Sequence, residues 1–142
     1  MTQDQIRESL TKYRIIAIVG LSPKKDRPSH MVGAYLQQYG FKIIPVNPFV
    51  EKVLGEKSYK SLLDIPTKIQ ETFEIVDIFR PSNDVLPIVE QAVKLRKLYG
   101  KPFVIWMQLG IVNETAAKVA RDAGLIVIMD KCMMVEHQRL TG

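Results

Sequence analysis

Ile15-Ile16-Ala17-Ile18-Val19, closed by Gly20, is the stretch that decides the fold. Four of its five residues are β-branched, and no polar residue interrupts them. A strand with one face in water alternates apolar and polar positions. A strand covered on both faces has no reason to alternate. The run is therefore expected to be a central strand of a parallel sheet with helices on either side. Similar runs recur at Phe41 to Val46, broken by Asn47-Pro48, and at Ile75-Val76-Asp77-Ile78-Phe79. Two more follow at Phe103-Val104-Ile105-Trp106 and Leu125-Ile126-Val127-Ile128-Met129.

Helical patterns fill the intervals. Gln3 to Tyr13 is amphipathic, with Ile6 and Leu10 four apart. Ser29 reads as the N-cap of a second helix, with Val32, Leu36 and Tyr39 on one face and Gly40 at its stop. Residues 53–66 read as irregular, with a short edge strand and a one-turn helix. Asp84 as N-cap puts Pro87 at the third position of a helix running from Val85 to Leu98, where a missing N–H does no harm. Asn113 caps a helix that reaches Ala123 and stops at Gly124, and the tail reads as a last helix. Strands alternating with helices predict right-handed βαβ crossovers. The expected class is α/β: an open parallel, Rossmann-type sheet of about five strands, helices on both faces, three layers. Residues 1–142 read as a single domain, with 1–13 as its N-terminal helix.

Composition narrows the function. The N-terminal residues Met1-Thr2-Gln3-Asp4-Gln5 lack the basic start and apolar stretch of a signal peptide. No apolar run approaches the roughly 20 residues that span a bilayer. A cytoplasmic protein without a membrane partner is expected. One cysteine and two histidines, His30 and His137, are too few for a zinc site. The net charge of +5 favours an anionic ligand. Lysines and arginines are spread along the chain, and aromatics make up only 8%, which argues against nucleic acid.

In open parallel sheets, ligands bind beyond the carboxyl ends of the strands, near the switch in strand order. The residues to inspect are thus Gly20-Leu21-Ser22, Asn47-Pro48, Phe79-Arg80-Pro81-Ser82, Gln108-Leu109-Gly110 and Asp130-Lys131-Cys132. Gly20 permits a close turn, the helix opening at Ser29 offers free N–H groups to an anion, and Lys24, Lys25 and Arg27 lie between. This is a diphosphate cradle or, with equal weight on these residues alone, a solvated loop. It is neither G-x-G-x-x-G nor a Walker A loop. NAD is disfavoured because the second strand ends in Asn47, and the nearest acid is Glu51, beyond Pro48. Asn47 reads either as a contact to a purine edge or as a turn former before proline. Arg80 reads as a phosphate fork or a structural ion pair, and Trp106 on its own as core. Cys132 is either a structural thiol or, beside Lys131, an activated one.

Five motifs stand in order: Val19-Gly20-Leu21-Ser22, Pro45-Val46-Asn47-Pro48, Val76-Asp77-Ile78-Phe79-Arg80, Trp106-Met107-Gln108-Leu109-Gly110 and Lys131-Cys132-Met133-Met134-Val135-Glu136-His137. Together they resemble the small stand-alone CoA-binding domain proteins of bacteria and archaea, which are themselves similar to the CoA-binding domain of the succinyl-CoA synthetase α subunit. The resemblance implies coenzyme A as cofactor. It implies that the loop of Gly20, Ser22, Lys24, Lys25 and Arg27 meets phosphates, with Leu21 and Ser29 also in the cofactor-binding set. It places Asn47 and Pro48 near the adenosine, Phe79 and Arg80 beside the nucleotide, and Trp106, Gln108 and Gly110 within the cofactor-binding set. The family more often has Arg where this chain has Lys131, so a forked contact there is lost.

No nucleophile–base pair can be picked out, so the first functional expectation is a non-catalytic carrier or sensor of CoA or acyl-CoA. Alternatives are a CoA-binding subunit of an acyl-CoA ligase that needs a partner chain, redox protection of CoA through a Cys132 mixed disulfide, and an NAD- or nucleotide-binding regulator. A homodimer is compatible with all of these.

Overall fold

In a computed structural model, residues 2–142 are described; Met1, which the sequence reading counts with the first helix, lies outside them. Helix α1 (Gln3–Lys12) opens with a reciprocal cap. The Gln5 N–H donates to Thr2 Oγ1 and the Thr2 N–H to Gln5 Oε1, each at 3.1 Å. Strand β1 (Ile15–Val19), helix α2 (Pro28–Gln38) and strand β2 (Lys42–Val46) follow. A two-residue hairpin, β3 (Lys52–Val53) with β4 (Glu56–Lys57), leads to a 3-10 turn at Leu62–Asp64 and the single turn α3 (Thr67–Gln70). Then come β5 (Ile75–Ile78), α4 (Val85–Tyr99), β6 (Val104–Met107), α5 (Glu114–Asp122), β7 (Ile126–Ile128) and α6 (Met133–Thr141).

The main sheet has the order β2-β1-β5-β6-β7, parallel throughout. The expected open sheet of five strands is thus observed, and its order reverses between β1 and β5. Alternate residues of each strand feed two apolar layers. Ala17, Val19, Val76, Ile78, Ile105 and Met107 pack with α4 and α5. Ile16, Ile18, Ile75, Val104, Trp106 and Ile128 pack with α1, α2 and α6. Burying each of the valine, isoleucine and methionine side chains among these contributes about 1.5–3 kcal/mol, which explains why none of the five runs alternates. No helix among the described residues is long and apolar enough to cross a membrane.

Several local expectations shift. Helix α2 starts at Pro28, with Arg27 rather than Ser29 at the N-cap. Proline presets the helical φ at the first position and pushes its predecessor into an extended conformation, so the boundary falls before Pro28. Tyr39 is half exposed at the C-cap and not part of the buried face. Asp84 does precede α4, but no side-chain cap forms: it ends a 3-10 turn (Ser82–Asp84) with helical backbone angles, φ −97 and ψ 0, where a capping residue is extended, and its carboxylate accepts from Arg80. Pro45 sits within β2, which is tolerated because β2 is an edge strand and the lost donor interrupts no inner ladder.

Candidate functional site

The switch between β1 and β5 opens the sheet edge beyond Val19 and Ile78. Gly20 turns the chain there with φ +89, and a Cβ on it would lie 3.2 Å from the Phe79 carbonyl oxygen and 3.3 Å from Arg80 Cδ. Only glycine meets both demands. The Gly20 N–H donates to Val46 O and the Phe79 N–H to Val19 O, both at 2.8 Å, so the ends of β2, β1 and β5 are fixed together.

Two clefts meet at Gly20. One, of about 350 Å³, lies among Gly20, Asn47, Pro48, Phe49, Arg80 and Asp84, with Lys60, Ser61, Ile88 and Gln91 also on its walls. The other, of about 520 Å³, is bounded by Gly20, Ser22, Lys24, Arg27, Ser29, Phe49, Phe79 and Arg80. Both are of the size that small-molecule sites have. They bring together nine of the residues singled out in the sequence: Gly20, Ser22, Lys24, Arg27, Ser29, Asn47, Pro48, Phe79 and Arg80.

The loop from β1 to α2 is held from within. The Ser22 N–H donates to Ser29 Oγ at 2.9 Å, and the Lys24 N–H to Ser22 Oγ at 3.1 Å. Ser29, expected to cap the helix, instead lies in its first turn with a buried side chain that anchors the loop. Pro28 has no N–H, so the amides of Ser29 and His30 are the helix-start donors at this end, beside the exposed cations Lys24, Lys25 and Arg27. Such an end favours anions.

Arg80 stands between the clefts, and its Nη2 lies 3.1 Å from Asp84 Oδ2 with both side chains about half exposed (48% and 50%). An exposed pair of this kind contributes at most about 1 kcal/mol. Arg80 is thus available to a stronger anion. Asn47 is committed differently: its Nδ2 donates to Leu21 O at 3.0 Å and its Oδ1 accepts from the Phe49 N–H at 2.9 Å. Its amide performs the turn-forming role, and these bonds use one of its two Nδ2 hydrogens and one of the two Oδ1 lone pairs.

The remaining candidates lie elsewhere. Leu21 and Trp106 are wholly buried, and Trp106 Nε1 donates to Lys131 O at 2.8 Å. Gln108 is buried too, its Oε1 accepting the Met133 N–H at 3.1 Å. The Gly110 N–H donates to Asp130 Oδ1 at 2.7 Å. Trp106, Gln108 and Gly110 tie the end of β6 to the segment after β7, so any influence of theirs on a ligand passes through those loops, while Leu21 packs into the apolar layer with Val32 and Leu36 of α2. Lys25 is exposed and lines neither cleft. Cys132 is half buried at the N-cap of α6, following edge strand β7. Three strand spacings separate β7 from β1, or about 14 Å across the sheet.

Sequence reasoning missed Phe49, which is 87% exposed and borders both clefts, and Lys60 on the wall of the first. An apolar aromatic directly after Asn47-Pro48, in a turn that offers it nothing to pack on, was the available signal for Phe49. Among the described residues no cluster of three metal-ligating side chains occurs.

A family model described as "CoA binding domain" matches residues 14–138. The chain is 40% identical over 133 residues to the protein YneT of Bacillus subtilis, spanning 94% of this chain and 92% of that protein. A protein of solved structure from Pyrococcus horikoshii superposes with a TM-score of 0.89 at 44% identity, covering 100% of this chain and 94% of that one. A shorter stretch of 56 residues, 38% of this chain, is 41% identical to an ADP-forming acetate–CoA ligase of Archaeoglobus fulgidus, of which it covers 8%.

Proposed function

The chain belongs to the CoA binding domain family, and from that premise we propose that it binds coenzyme A or an acyl-CoA at the paired clefts beyond β1, β2 and β5, as a non-catalytic carrier or sensor in the cytoplasm. The observation that carries the reading is the glycine turn at the strand switch, flanked by the α2 N-terminus with Lys24 and Arg27 on one side and by Arg80 on the other. A diphosphate would lie there, against helix-start amides and three cations. Phe49 and Phe79 offer aromatic surface to a base, and Pro48 an apolar wall. The absence of an acid at the end of β2 speaks for CoA over NAD.

A second reading has one observation in its favour, the partial identity to an acetate–CoA ligase. This chain would then be the CoA-holding subunit of a ligase-type enzyme whose catalytic groups come from a partner chain. A mixed disulfide with Cys132 is less supported, since the ligand's thiol arm would have to run along the edge past β5 and β6.

Thermal unfolding with added ligand tests the first reading. CoA at 100 times its Kd should stabilise the fold by about 2.7 kcal/mol, and NAD at the same concentration should leave the melting temperature unmoved. A shift with NAD and none with CoA would overturn it in favour of a nucleotide-binding regulator.

A further inference from the structure

A third cleft, of about 770 Å³, continues the ligand edge away from Gly20. It shares Asn47, Pro48, Phe49 and Lys60 with the 350 Å³ cleft and adds Lys52 and Lys57 from the β3–β4 hairpin. Lys52 is paired directly opposite Lys57 in that antiparallel ladder. Like charges facing each other across two strands repel. Among the described residues, neither lysine, nor Lys60, has a carboxylate within 4.0 Å; the ion pairs lie elsewhere, at Lys12–Glu8, Arg80–Asp84, Lys118–Asp122 and Arg139–Glu136. Glu51 is the one acid on the cleft wall, against three lysines. Lys57 Nζ lies 5.6 Å from the centroid of the Tyr59 ring, a contact that leaves its charge in place, so the wall keeps a positive surplus that no carboxylate neutralises.

The hairpin that carries these lysines is fastened to the end of β2. The Asn47 N–H donates to Tyr59 O at 2.9 Å and to Ser58 Oγ at 3.1 Å, Ser58 Oγ donates to Asn47 O at 3.0 Å, and the Tyr59 N–H donates to Pro45 O at 3.1 Å. Lys57 and Lys60 flank this seam. A solvated hairpin face would explain exposed lysines. It does not explain why two of them are held in facing register, on a seam locked to the strand end where the proposed ligand lies.

The lysines of the β1–α2 loop and those of the hairpin border different clefts on the two sides of the central one. A ligand matching that layout carries two separated anionic groups, a diphosphate and a phosphate monoester. Coenzyme A has both, the second being its 3′-phosphate. We propose that Lys52, Lys57 and Lys60 bind the phosphate monoester of the nucleotide seated in the adjoining cleft, and so select CoA over dephospho-CoA. The inference rests on the CoA reading above and adds the residues that would read the monoester.

Isothermal titration of CoA and of dephospho-CoA into the full chain tests it, using the unsubstituted protein and the Lys52→Ala/Lys57→Ala variant. Both lysines are exposed, so the variant should fold as the parent does. The parent should bind CoA about tenfold more tightly than dephospho-CoA at low salt, with the margin shrinking as salt rises. The variant should lose most of that margin while holding dephospho-CoA as before. Equal affinity of the parent for both ligands, or an undiminished margin in the variant, would overturn the lysine site and leave the CoA reading standing. Failure of both ligands to bind the parent would overturn both.

Discussion

Replacing Asp77 with valine should stabilise this protein. Asp77 lies in β5, the middle strand of the main sheet, in register with Ile18 on one side and Trp106 on the other. It is 0% exposed, and neither carboxyl oxygen has a hydrogen-bond partner. Burial holds its pKa well above the usual carboxylate range. A buried polar group without a partner costs about 1–3 kcal/mol, and valine removes that cost while suiting the strand. The expected gain is of the same size, or about 3 °C in melting temperature per kcal/mol for a chain of this length. The pH dependence has a definite sign. A folded pKa above the unfolded value of about 3.9 means that the fold binds more protons than the unfolded chain between the two. Asp77 therefore favours folding most below about pH 4, and this contribution falls as pH rises toward the folded pKa, by up to about 1.4 kcal/mol per pH unit. Other carboxylates impose slopes of their own, so the comparison is with Asp77→Asn, which keeps the shape and abolishes the titration. Urea unfolding from pH 4 to 8 should show stability declining with pH in the parent relative to Asp77→Asn. Equal slopes, or a valine variant weaker than the parent by more than about 1 kcal/mol, would refute the reasoning.

Asp84→Asn frees Arg80 from its exposed pair and removes a negative charge from the cleft wall. CoA affinity at low salt should rise about two- to fivefold, read by isothermal titration, and a weaker or unchanged affinity would contradict the role given to Arg80. His137 should make the fold acid-sensitive. Its Nδ1 lies 2.7 Å from the Tyr35 hydroxyl, and burial, then the charge of Arg14, lowers its pKa from 6.5. The neutral form is favoured in the fold, so its contribution is present above about pH 6.5 and is lost as pH falls through the folded pKa. Melting temperatures between pH 7.5 and 5 should fall more steeply in the parent than in His137→Gln, and parallel curves would count against this account.

The five strands were legible because each is covered on both faces, and continuous apolar runs follow directly from that. Gly20 was legible for the same kind of reason, since a strand must turn at the sheet edge. The start of α2 was misread at Ser29, although Pro28 carried the correct signal. Trp106 read as core on its own, and only the resemblance put it in the cofactor-binding set; side-chain alternation along β6 turns it into the layer beneath α6. Asn47 offered two roles, and no local pattern could decide between them, because the carbonyl of Leu21 that its amide meets is 26 residues away. The facing lysines of the β3–β4 hairpin left no readable trace. Two-residue strands have no periodicity, and their pairing is set by the seam to β2 and not by composition.

Native mass spectrometry of the purified protein with added coenzyme A, followed by denaturing spectra with and without reductant, tests the central claim most directly. The account predicts a single mass increment equal to CoA in the native spectrum, lost on denaturation without reductant. No increment at saturating CoA would contradict CoA binding itself, and an increment that survives denaturation but vanishes with reductant would contradict the non-covalent site and point to Cys132.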